Sequence, residues 1–100
     1  MSDLCLTLLC PPALEERVLD TLLMIPEIVL FTSSRAAVHG VHPERLSASE
    51  QVLGLAVMTQ IQALLHEADR TRLLARLKDS FAGTGLRYWL TPVAETGEFA

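Results

Sequence analysis

Positive charge is scarce in this chain. Eight lysines and arginines stand against twelve aspartates and glutamates, for a formal net charge of -4 at pH 7 and an isoelectric point near 5.2. Nucleic-acid binders draw much of their affinity from cations that neutralise phosphates, so this balance argues against that class. Long apolar runs are also missing. The stretch Leu4–Cys10 is too short to cross a bilayer, and it follows Asp3 rather than a basic region. It reads neither as a membrane span nor as a signal peptide, so the expected protein is cytoplasmic and not membrane-embedded. Cysteine occurs twice, at Cys5 and Cys10. In a reducing compartment such a pair reads as buried thiols rather than a disulfide. Cys5, in mid-strand, is expected to be buried and inert. Walker, Rossmann and kinase signatures are absent. The serines at Ser33-Ser34 and at Ser47 and Ser49 lack a nucleophile-elbow setting, and Glu15-Glu16 falls on a solvated helix face. The expectation is a protein that is not an enzyme.

What the chain has in plenty is apolar character. Half of its 100 residues are hydrophobic and only 20% are charged, with a mean hydropathy of +0.34. A chain of this length forms one domain, and small domains bury a smaller share of their surface. Some apolar surface is therefore expected to be left for a partner.

The hydrophobic spacing predicts an alternation of elements. Leu4–Leu9 reads as a central strand, apolar on both faces. Pro11 and Pro12 stop it, and Pro12 suits the first turn of a helix. Ala13–Met24 is helical, with Leu14, Val18, Leu22 and Ile25 on one stripe, and Pro26 ends it. Ile28–Val38 is rich in strand formers, and Gly40 and Pro43 break it. His39–Ser49 reads as a polar loop of a length that invites function, with one short turn at Ser47–Gln51. Val52–His66 reads as a long strand, with Leu53, Leu55, Val57, Ile61 and Leu65 towards the core. Its even face, from Val52 to Leu64, is mixed, as expected of a surface that packs on another subunit.

Asp69–Phe81 reads as a second helix, N-capped by Asp69, with Leu73, Leu74, Leu77 and Phe81 inward. Arg70, Arg72, Arg76 and Lys78 make it the most basic part of the chain, read as a solvated face. Leu86–Val93 is the last strand, with Tyr88 and Trp89 on opposite faces, and Ala94–Ala100 is a short tail expected to be mobile. The order β-α-β-β-α-β predicts an α+β, ferredoxin-like sandwich: a four-stranded antiparallel sheet with two helices on one face.

Two clusters carry candidate chemistry. Gly83-Thr84-Gly85 with Arg87 joins the second helix to the last strand. Backbone NH groups of a Gly-X-Gly turn can converge on an anion, and a guanidinium nearby supplies fixed charge. The same letters also describe a helix C-cap followed by a tight turn. His39 and His42, with Cys5 or Cys10, offer donors for a metal, but the spacing is not that of a structural zinc motif. His66, at a strand end before Glu67, reads as a surface residue.

The final third resembles the PII signalling superfamily, whose loop after the second helix reads roughly T-G-x-x-G-D-G-K and whose last strand is followed by R-T-G-E. Gly83-Thr84-Gly85, Arg87, Pro92-Val93 and Thr96-Gly97-Glu98 look like a reduced version. Gly40 is similar to the glycine that opens the PII T-loop. More closely, the chain resembles a PII-like family often encoded beside heavy-metal efflux pumps of the resistance-nodulation-division type. The segments carrying this are Leu14-Glu15-Glu16, Asp20–Leu23, Phe31-Thr32, His39-Gly40, Leu46-Ser47, Glu50–Gly54, and Trp89 with Pro92-Val93 and Gly97. The resemblance implies a homotrimer whose intersubunit cleft takes a small anion such as an adenine nucleotide, lined by Gly40, Gly83, Thr84, Gly85 and Arg87. It also implies a metal-efflux component as a partner. Departures are clear. Thr84 and Leu86 stand where PII has aspartate and lysine, the T-loop is short and lacks tyrosine, and Leu55 replaces an expected basic residue. Each removes charge, so the expected nucleotide affinity is lower than in PII proteins. The alternative reading is a small metal-binding protein using His39 and His42.

Overall fold

A computed structural model describes residues 2–100, apart from the side chains of Pro43 and Leu53. Four strands, β1 (Asp3–Cys10), β2 (Ile28–Val38), β3 (Ala56–His66) and β4 (Arg87–Val93), form one antiparallel sheet in the order β2-β3-β1-β4. Three helices join them: α1 (Glu15–Leu23), α2 (Ala48–Leu53) and α3 (Arg70–Phe81). The α+β, ferredoxin-like expectation holds, with α2 as an addition.

The core follows from alternation in the sheet and helical stripes above it. Leu4, Leu6, Leu8 and Cys10 of β1 align with Leu65, Ala63, Ile61 and Thr59 of β3. On them pack Val18 and Leu22 of α1 and Leu73, Leu77 and Phe81 of α3. Each fully buried aliphatic side chain stabilises the fold by about 1.5–3 kcal/mol relative to exposure. Arg17 ties the two helices together. Its guanidinium donates to the Ser80 carbonyl and lies 4.9 Å from the Phe81 ring centroid.

The helices leave the other sheet face open. Leu30, Leu64, Cys5 and Thr91 form one row across it, and Thr32, Gln62, Thr7 and Trp89 the next. Trp89 is 42% exposed and Leu30 54%. Tyr88 faces the helices opposite Leu8, so it and Trp89 do take opposite faces. Cys5 is half-buried rather than buried, because it belongs to this uncovered face; Cys10, on the helix side, is the buried thiol.

Other expectations need correction. Val52 is not in a strand, because Ser47 nucleates a helix there. Its hydroxyl accepts from the Glu50 NH while the Glu50 carboxylate accepts from the Ser47 NH, a full capping box. Gly54, at φ 70°, ends α2 in the left-handed region, and the strand starts only at Ala56. Val57 is exposed, since β1 stops at Cys10 opposite Thr59 and the β2–β3 ribbon runs on past it. Leu53 lies outside the described side chains. Asp69 does not cap α3: it lies in a 3-10 turn (Glu67–Asp69) with helical angles, and its carboxylate takes Arg72 instead.

Candidate functional site

The cleft is built where the β2–β3 ribbon outruns β1. The ribbon end, the segment that follows it, Pro11 and Pro12 ahead of α1, and the α3–β4 loop surround a cavity of about 760 Å³. Gly40, Gly83, Thr84, Gly85 and Arg87 all line it. Residues up to 47 positions apart in sequence thus meet through sheet registry, which sets Arg87 opposite Leu9 on β1. His42 also lines the cleft; His39 does not.

The loop at Gly83–Gly85 has the geometry of a turn that leaves its donors available. Gly83 and Gly85 take φ of 76° and 79°, the left-handed region that glycine enters without steric cost. Thr84 braces the turn: its hydroxyl donates to the Phe81 carbonyl at 2.6 Å and accepts from the Leu86 NH at 3.3 Å. Among the described residues, the NH groups of Gly83 and Gly85 have no acceptor within the chain.

Charge in the cleft favours an anion. Arg87 is joined there by Arg45, which sequence reasoning passed over as part of a polar loop. Arg45 ends the 3-10 turn Pro43–Arg45, and a Cβ placed on Gly85 would stand 3.7 Å from its Nη1. Neither guanidinium has a carboxylate partner among the described residues. The signal that would have found Arg45 is tertiary, since it and Gly85 are 40 positions apart in sequence. Among the described residues, Glu50 is the one acidic side chain lining the cleft. Its two oxygens accept from the backbone NH groups of Ser47 and Val57, at 3.0 and 3.1 Å, and these bonds hold its carboxyl below the usual range. Its charge is thereby committed to the scaffold that fixes α2 to β3.

The metal donors do not assemble. His42 Nδ1 lies 3.8 Å from Glu44 Oε2, both exposed. Among the described residues no group of three or more His, Cys, Asp or Glu side chains is placed to hold a metal ion. Burial pushes the Cys10 thiol up to about 11, with the neighbouring Glu15 charge adding to it. His66 is instead part of a small polar cluster, 2.7 Å from Asp3 Oδ1.

A family model described as "Protein of unknown function (DUF3240)" matches residues 1–100. The chain belongs to the DUF3240 family. It is similar to the crystal structure of a DUF3240 family protein from Shewanella baltica, with a TM-score of 0.80 at 16% identity, over 100% of this chain and 99% of that chain. At this identity the likeness shows the fold alone. No functionally curated protein matches. No described helix of this DUF3240 chain is long and apolar enough to cross a membrane.

Proposed function

We propose that this DUF3240 chain is a non-catalytic regulatory protein of the PII-like kind, which binds a small anionic effector in the cleft beside Gly83–Gly85. The observation that carries this is the convergence of Gly40, Gly83, Thr84, Gly85 and Arg87 on one cavity, with Arg45 as a second unpaired cation. Two guanidiniums and two free NH groups suit a phosphate-bearing ligand, because charge-assisted bonds to such oxygens are the strong ones. An adenine nucleotide is the first ligand to try. The proposal takes the working unit as a cytoplasmic homotrimer, with the cleft completed by a neighbouring subunit. Effector binding then reorders the loop from His39 to Ser49, which docks on a partner; by resemblance, that partner is a heavy-metal efflux component.

Calorimetry with ATP, ADP, AMP and cyclic nucleotides tests it. One of these binds the native protein below millimolar concentration. Arg87→Ala weakens that binding by roughly ten- to a hundred-fold, the loss of a charge-assisted contact worth about 1.5–3 kcal/mol. If none binds below millimolar, the loop is a turn and the proposal fails.

A further inference from the structure

A second concavity lies on the helix side of the sheet, between α3 and β4. It measures about 330 Å³, with walls of Leu8, Leu74, Leu77, Phe81, Leu86 and Tyr88. Among the described residues, Lys78 is the only charged side chain lining it. None of these residues lines the anion cleft.

The last segment of the chain has matching chemistry. Phe99 is fully exposed, and Glu98 precedes it. An aromatic ring beside an acid complements an apolar groove with a lysine on its rim, and aromatic anchors in such pockets supply much of the energy of protein contacts.

The chain does not place this ring in its own groove. β4 runs away from the groove, towards the Asp3 end of β1, where the Thr96 hydroxyl donates to Asp3 Oδ2 at 2.7 Å. Phe99 is fully exposed, so its ring lies outside its own groove.

We propose that Phe99 of one copy docks in the α3–β4 groove of a second copy, with Glu98 against Lys78. Tail and groove are different surfaces, so the contact is head-to-tail and must close into a ring or run on as a filament. A three-membered ring agrees with the homotrimer above, but the contact does not depend on any ligand in the cleft.

The test uses the full chain with the photoreactive residue p-benzoylphenylalanine at position 99. Isotopically light and heavy protein are mixed, equilibrated and irradiated, and the cross-linked peptides are weighed. Cross-links to residues 74–88 in mixed light–heavy pairs are expected. Lys78→Glu should lower their yield about two- to fivefold, as for a rim ion pair, and adding Glu98→Lys should restore it. Phe99→Ala, in otherwise native protein, should weaken self-association by roughly ten- to a hundred-fold in sedimentation. Cross-links only within one isotope class, cross-links elsewhere, an unchanged yield in Lys78→Glu, or unchanged self-association in Phe99→Ala would each overturn the proposal.

Discussion

At the scale of single residues, the cations of the cleft are the place to begin. Arg45 reaches the loop at Gly85 and lines the same cleft as Arg87. If both touch one ligand, Arg45→Ala should cost about the same ten- to hundred-fold as Arg87→Ala. Both residues are exposed or at the rim, so thermal stability should change by less than about 0.5 kcal/mol in either variant. Calorimetry and melting on the same samples separate the two effects. Asp3 makes a different prediction. Hydrogen bonds from the Thr96 hydroxyl and from His66 hold its carboxyl below the usual range. A depressed folded value means that the stabilisation is complete above about pH 4, the unfolded carboxylate range, and is lost as pH falls through the folded value. Denaturant midpoints measured from pH 7 down to 2 should therefore fall more steeply in the native protein than in Asp3→Asn. Parallel curves would remove Asp3 from that role.

At the scale of elements, α2 is the feature with most influence on the site, though it is only six residues long. Its capping box fixes the chain's exit from the Arg45 turn, and Glu50 Oε2 reaches the Val57 NH to hold α2 against β3. Isolated helices of this length do not persist, so these few bonds decide whether it forms. Ser47→Ala should cost about 1 kcal/mol locally. Hydrogen exchange of residues 48–55 should quicken while the amides of β1 and α3 stay protected. Uniform loss of protection across the chain would show that α2 belongs to the global folding unit.

At the scale of the whole molecule, the sheet face away from the helices is left without cover. Leu30, Trp89 and Cys5 lie on it, and Thr7 is buried between the neighbouring positions of Gln62 and Trp89. A trimer built on this face should sediment as three chains at micromolar concentration, and Trp89→Glu should shift it to monomer. Cys5 provides a second reading of the same event. In the assembly it should react slowly with a thiol reagent at pH 8, and in the Trp89→Glu monomer quickly. Cys10 should stay inert in both, being buried with its thiol pushed up to about 11. A native protein that sediments as one chain would end the trimeric reading.

The sequence alone determined the sheet, the two long helices and the inward stripes, because those depend on periods of two and 3.6 residues repeated along each segment. Leu6 with Leu8, and Val18 with Leu22, were legible for that reason. Glycine and arginine around position 85 were legible as a turn with a charge beside it. The boundary at Val52 was not: alternation of apolar residues carried the strand too far, and the Ser47–Glu50 box with Gly54 gave the opposing local signal. Only the tertiary structure decided that Arg45 faces Gly85, that Val57 lies beyond the core and that Cys5 is less covered than Cys10. Those outcomes depend on where β1 ends relative to β3, on which face the helices choose and on how a 17-residue connection folds back. These are matters of registry and packing between distant segments, for which no local spacing provides a signal.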